Sequence, residues 1–306
     1  MLTDKIRLLT TDPSIEQEPE DILSSSLAVI FPDDITNQHG DAGSSVIYLS
    51  PSYGEIVLSL ADPQGEDSRG LFSHFLWNAG LLLGELIEEF EGETVHAQVE
   101  DEAGEDKVLG SGIPWDVQGQ RVLELGAGTG LAGMVSALKG ANEVVMSDYP
   151  APEVLDNIKA NVRRNIEPRR ETPDGKRIAT ISVRGHEWGV LNDDFSLQDR
   201  ASFSRILVAD CLWMPWQHAN LLRSISWFLE PRGRAWVVAG FHTGREKMRG
   251  FFEEEGVKGA GLEIERIWER NAEGFEREWV VDRGIEDVTV RKRWLVIAVL
   301  RKISCK

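Results

Sequence analysis

Val122-Leu123-Glu124-Leu125-Gly126-Ala127-Gly128-Thr129-Gly130-Leu131-Ala132-Gly133 decides the fold. A run of strand-forming apolar residues meets alternate glycines, and an apolar helical pattern follows. This is the strand, tight turn and helix that open a nucleotide-binding α/β sheet. Toward the C-terminus the alternation continues. The pattern predicts strands over 121–125, 143–147, 177–183, 205–209 and 234–240, with helices over 131–139, 152–165, 217–229 and 245–255. Two further strands, 262–268 and 293–301, come with no helix between them and are expected to pair as an antiparallel hairpin at one edge. The expected fold is α/β: a Rossmann-like, seven-stranded, mostly parallel sheet with helices on both faces.

Toward the N-terminus, 46–49 and 56–60 flank the turn Pro51-Ser52-Tyr53-Gly54 and read as a β-hairpin extension. Apolar residues at helical spacing predict a helix over 71–90. The expected division is an acidic extension over 1–70 and a catalytic domain over 71–306, with a flexible acidic insertion over 91–118. Of 306 residues, 42% are hydrophobic and 27% charged, which excludes a disordered or fibrous chain. The apolar run 294–300 is too short to span a bilayer, and 1–13 lacks the apolar core of a signal peptide. Two cysteines, Cys211 and Cys305, build neither a disulfide framework nor a zinc site, and the histidines lack metal-ligand spacing. A soluble cytoplasmic protein without a metal is expected.

The net charge of −18 is uneven: residues 1–119 hold 24 Asp/Glu against 4 Lys/Arg, and residues 120–306 hold 27 against 29. No basic face is set aside for phosphates, which argues against nucleic acid as a partner. The acidic part suits a cationic substrate, or serves only as a solubilising surface.

Two cofactors compete for the glycine turn. Gly128, Gly130 and Gly133 satisfy the dinucleotide fingerprint in form. Glu124 decides between them, because a carboxylate before the glycines repels pyrophosphate. It attracts, directly or through water, the ammonium of S-adenosyl-L-methionine (SAM), whose carboxylate the helix N-terminus receives. Asp148 ends the next strand, 24 residues after Glu124, where an acid accepts ribose hydroxyls; its alternative is a cap on the helix from Pro152. Trp188 follows the third strand and either stacks on adenine or fills the core. Asp210 ends the fourth strand, where it either holds an amine and takes its proton or caps a helix. Trp213, Trp216 and Phe241 form either an aromatic cage or core. His218 and His242 are candidate bases.

Five stretches together carry a resemblance: Leu76-Trp77-Asn78-Ala79-Gly80, the Val122 to Gly130 turn, Ser147-Asp148-Tyr149-Pro150, Glu187-Trp188-Gly189 and Ala209-Asp210-Cys211-Leu212-Trp213. Over residues 70–301 the chain resembles the seven-β-strand, class I SAM-dependent methyltransferases. Within them it resembles the lysine-methyltransferase-like branch, family 16, and its fungal nicotinamide N-methyltransferase-like group, which includes an elongation factor 1-alpha methyltransferase. The resemblance implies an N-methyltransferase using SAM. Trp77 would lie over the methionine end, Gly126, Ala127 and Gly128 would line the turn, Asp148 would hold the ribose, Trp188 would cover adenine, and Ala209 would present its backbone. Relatives carry Asp-x-x-Tyr or Asp-x-x-Phe where this chain has Asp210 to Trp213, which leaves the acceptor open. The partner is a protein substrate, a translation factor among the candidates, or a small-molecule amine. Two rival functions are an NAD-dependent oxidoreductase and an inactive SAM-fold binding module.

Overall fold

The computed structural model describes residues 1–9, 37–40, 44–61, 75–91, 112–169, 171, 175 and 177–303. Most of the expected acidic insertion (92–111), the start of the expected first helix (71–74) and Cys305 lie outside the described residues.

The main sheet has eight strands: β6 Arg121–Leu125, β7 Glu143–Asp148, β8 Thr180–Gly185, β9 Phe203–Ala209, β10 Leu229–Gly240, β11 Leu262–Asn271, β12 Glu276–Glu278 and β13 Trp294–Lys302. Their order is β12-β11-β13-β10-β9-β6-β7-β8. Strands β10, β9, β6, β7 and β8 run parallel. β13 lies between β10 and β11 and is antiparallel to both, so the expected pairing of the last two strands holds. Two details differ from expectation. β12, three residues of sequence Glu-Arg-Glu, is too short and too charged to show a period, yet pairs with β11. A short helix, Val288–Lys292, also precedes β13, with Asp287 capping its N-terminus.

Side chains alternate across the parallel strands. Val122, Val144, Met146, Leu207 and Val238 enter one core. Leu123, Leu125, Val145, Ile206, Val208 and Val237 enter the other. Central strands therefore read as continuous apolar runs, because both faces are covered. The first face is covered by α1 Asn78–Glu89, α2 Leu131–Leu138 and α3 Pro152–Asn165, and the second by the helix His218–Phe228 and the segments after β10. The expected helix over 245–255 breaks into Arg245–Arg249, a 3-10 turn Gly250–Phe252 and Glu254–Gly259, parted where Glu253 is extended.

The N-terminal hairpin forms as expected, from β3 Ser45–Ser50 and β4 Gly54–Ser59. A strand the sequence did not announce, β1 Ile6–Leu9, adds to β3. Val46, Tyr48, Ile56 and Leu58 of this small sheet share the core of α1 and α3. Its free edge meets α3. Asn161 and Asn165 accept from the N–H groups of Ser59 and Val57 and donate to the carbonyls of the same residues, at 2.8–3.0 Å. A helix thus closes a strand edge that would otherwise pair with another chain. Glu88 of α1, buried, accepts from Tyr48 Oη, Ser50 Oγ and the Ser52 N–H.

Before α1, residues Gln38–His39 and Leu76–Trp77 form a two-residue antiparallel ladder, strands β2 and β5. Trp77 is therefore an extended residue at the start of α1 and not, as its spacing suggested, part of that helix.

Candidate functional site

β6 is the switch point: the chain moves from it to β7 and β8 on one side, then returns to β9 on the other. Ligands of open α/β sheets bind outside the carboxyl ends of strands at such a point. A cleft of about 820 Å³, counted to its open mouth, lies there, within the range of small-molecule sites. Trp77, Gly126, Gly128, Asp148, Trp188, Ala209, Asp210 and Trp213 all line it. Of the residues considered for the site, Glu124, Ala127, Trp216, Phe241, His218 and His242 are not in its lining.

The turn after β6 is held open from below. The N–H groups of Gly126 and Ala127 donate to Ser147 O at 2.9 and 3.0 Å, so the turn hangs from β7. Gly126 has φ +71, and a Cβ there would sit 2.6 Å from Cys211 Sγ and 3.1 Å from the Trp188 ring. Only glycine fits, for both reasons. Asp148 Oδ2 accepts from the Gly128 N–H at 2.7 Å and Oδ1 from the Tyr149 N–H at 2.7 Å. The helix beginning at Pro152 takes Ala151, not Asp148, as its cap residue, so the capping alternative is set aside. Burial raises the pKa of Asp148, and the two N–H bonds pull it back.

Glu124 lies under the glycine turn and not in the wall of the cleft. It is 2% exposed, beneath the turn, and its Oε2 accepts from the Gly133 N–H at 3.1 Å. Burial pushes its pKa up to about 8. It is not itself among the residues that line the cleft. It ties β6 to the first turn of α2, and Gly133 makes room for it: a Cβ there would lie 2.6 Å from Oε2. Ala127, buried in the core beside α2, likewise supports the turn from behind.

Asp210 directly follows β9 with φ +58, a left-handed conformation that Asp tolerates better than most residues. Its N–H donates to Val238 O at 2.8 Å, and its Oδ1 accepts from the Gly240 N–H at 3.2 Å and from His242 Nε2 at 3.1 Å. It caps no helix. The His242 ring stacks on Trp77, with centroids 4.5 Å apart and planes 20° apart. Neutral His186 lines the cleft behind Trp188; burial lowers its pKa to about 4, and its Nε2 meets Ser224 Oγ at 3.0 Å.

The wider aromatic cage is not assembled. Trp213 lines the cleft, but Phe241 is fully buried, stacked on Trp279 with Arg245 over its face. Trp216 is 71% exposed and outside the cleft. His218 is a structural histidine: buried, its Nε2 meets Leu212 O at 2.9 Å. Tyr149, Glu187, Met214 and Gln217 also line the cleft without having been assigned there. Tyr149, Glu187 and Met214 adjoin the expected residues Asp148, Trp188 and Trp213, which were the signal for them; Gln217 has no such neighbour in the cleft.

The lining has three carboxylates (Asp148, Glu187, Asp210) and five aromatic rings (Phe75, Trp77, Tyr149, Trp188, Trp213). Among the described residues it has no lysine or arginine. Such a cleft fits cationic, flat ligands and opposes a pyrophosphate. Among the described residues no group of His, Cys, Asp and Glu is arranged to hold a metal, and no helix is long and apolar enough to cross a membrane.

A family model described as lysine methyltransferase matches residues 57–255. The protein N-terminal and lysine N-methyltransferase efm7 of Schizosaccharomyces pombe is 30% identical over 212 residues, covering 66% of this chain and 69% of that protein. The protein of the same name from Yarrowia lipolytica is 27% identical over 234 residues, covering 72% and 74%. Among solved structures, a TehB-like SAM-dependent methyltransferase from Corynebacterium glutamicum overlaps at a TM-score of 0.42 with 20% identity, covering 61% of this chain and 82% of that one.

Proposed function

The chain belongs to the lysine methyltransferase family, and on that premise we propose that it methylates an amine nitrogen of a protein, a lysine side chain or an N-terminus. The observation that carries this reading is the acidic, aromatic cleft without a lysine or arginine among its described lining residues. Both ligands of the reaction approach as cations, the donor as a sulfonium and the acceptor as an ammonium. The relatives named above are protein N-terminal and lysine N-methyltransferases, which supports a protein acceptor.

The residues fit SAM. Asp148 offers its remaining lone pairs to the ribose hydroxyls. Gly126, which a Cβ would close, lets the backbone approach the ligand. The Trp188 face is placed against that glycine and takes the adenine. Trp77 and the backbone of Ala209 line the methionine end. Bound there, SAM supplies a methyl already activated on a sulfonium, which passes in line to the amine lone pair as the sulfur leaves as a neutral thioether. The protein must therefore align the amine, take its proton and exclude water. Asp210 has Oδ1 fully engaged, which leaves Oδ2 to accept from the amine and receive its proton. Trp213, larger than the Tyr or Phe of relatives, walls the acceptor side and restricts it to a slender amine.

The resemblance to an elongation factor methyltransferase makes a translation factor, in the cytoplasm, the first protein to test. The test is incubation with methyl-tritiated SAM and a fission-yeast extract, followed by separation of macromolecules from small molecules. Label in protein, removed as methyl-lysine or a methylated N-terminus on hydrolysis, is expected. Label confined to small molecules would replace the protein acceptor by a small amine, and no label in either fraction would favour an inactive module.

A further inference from the structure

His242 stands at a junction of three segments that are far apart in the chain. It lies in the 3-10 turn Phe241–Thr243 that ends β10. Its Nε2 is 3.1 Å from Asp210 Oδ1, at the end of β9. Its ring lies 4.5 Å from Trp77, in the ladder before α1. Asp210 and Trp77 both line the cleft, whereas His242 does not. A carboxylate oxygen only accepts, so Nε2 carries the proton in this contact. Gly240 N–H fills the other position on Oδ1. Oδ1 is thereby saturated, the carboxylate plane is fixed, and Oδ2 is left with no hydrogen-bond partner among the described residues. The backbone of Asp210 is itself in a left-handed conformation, which persists only where surrounding bonds hold it.

We propose that His242 is a positioning residue for methyl transfer: it clamps the Asp210 carboxylate through Nε2 and the Trp77 indole through its ring, fixing the two walls between which the acceptor amine is aligned. It does not touch the ligands. This deepens the reading above and rests on Asp210 being the group that receives the amine. Alignment dominates this reaction because the donor is already activated, and a small displacement of one wall is costly in rate. His242 itself lines no part of the cleft; it acts on the acceptor side through Asp210 and on the methionine end through Trp77.

The two contacts are separated by two substitutions. His242→Phe keeps a flat ring for Trp77 and removes the hydrogen bond. His242→Gln keeps a donor at about the reach of Nε2 and removes the ring. SAM affinity is read by calorimetry, which also reports folding, and single-turnover transfer from methyl-tritiated SAM to the proteins of a fission-yeast extract reads alignment. We expect SAM affinity within about twofold of wild type in His242→Phe, which keeps a ring against Trp77, and a loss of no more than about fivefold in His242→Gln, which releases Trp77 at the methionine end. Transfer should fall by about tenfold or more in His242→Phe, and His242→Gln should recover most of that loss. A His242→Phe enzyme that transfers at the wild-type rate, or a His242→Gln enzyme as slow as His242→Phe, overturns the clamp. His242→Leu, which also lacks the bond, replaces His242→Phe if that variant does not bind SAM. Asp210→Asn separates the two claims. If it transfers at the wild-type rate, the role given to Asp210 fails; if it is slow while His242→Phe is not, only the role of His242 fails.

Discussion

Asp148 already holds two backbone N–H groups and still faces the cleft, so its side chain serves the turn and the ligand at once. Asp148→Ala should lower SAM affinity about tenfold or more, the scale of losing charge-assisted bonds. Calorimetric titration checks this, and an affinity within about twofold of wild type would remove Asp148 from the ribose site. Glu124 gives a prediction of a different kind. Its folded pKa of about 8 lies above its ordinary value of 4.5, so the folded state holds the proton more tightly than the unfolded state. Its contribution is complete below the ordinary value, shrinks as pH rises through the interval, and is gone above about 8. Glu124→Gln removes the titration while keeping an oxygen for the Gly133 N–H. The variant should therefore gain thermal stability on wild type as pH rises from about 5 to about 9. Melting curves that keep a constant gap across that range would show that Glu124 is ionised in the fold.

At the scale of elements, α3 is amphipathic in an unusual sense. Val154, Ile158 and Val162 enter the core, and the adjoining row, Asn157, Asn161 and Asn165, pairs with β4 as a strand would. Asn161 is fully buried and bonds to the N–H and carbonyl of Ser59 and the carbonyl of Thr129. Asn161→Ala removes the partner of the Ser59 N–H and of the Thr129 carbonyl, while Asn157 still donates to the Ser59 carbonyl, and should cost about 2–3 kcal/mol, lost bonds at roughly 1 kcal/mol or more each. Denaturant titration measures it; a loss under about 0.5 kcal/mol would mean the edge finds other partners. Deleting β1 tests the same sheet from its other edge. Leu2 packs in the core just before β1, and Lys5 pairs with Glu85 and Glu89 of α1, so loss of residues 1–9 should lower stability without altering SAM affinity.

For the whole molecule, charge is the term that reaches beyond the cleft. A net charge of −18, concentrated before residue 120, and a cleft rimmed by Asp148, Glu187 and Asp210 should steer a basic protein surface toward the acceptor position. Raising ionic strength through the range where the Debye length falls below about 10 Å should raise the KM for a basic protein acceptor several-fold, with SAM affinity changed far less. A KM that ignores salt would assign the acidity to solubility alone.

The sequence by itself determined the α/β order, the glycine turn, the acid at the end of β7 and the Trp188 and Asp210 positions. Each is set by local chemistry: strand and helix periods, glycine where φ is positive, and side chains at strand ends that meet in one crevice whatever the loops do. The tertiary structure alone decided which of those side chains face it. Glu124 sits one residue from the turn, yet burial directs it toward Gly133; Trp77 leaves the helix it was read into and meets His242 across 165 positions of chain. Phe241 and Trp216 carry the same aromatic signal as Trp213, but one is packed under Arg245 and the other points to solvent. Facing is a property of packing between distant segments, and no local pattern encodes it.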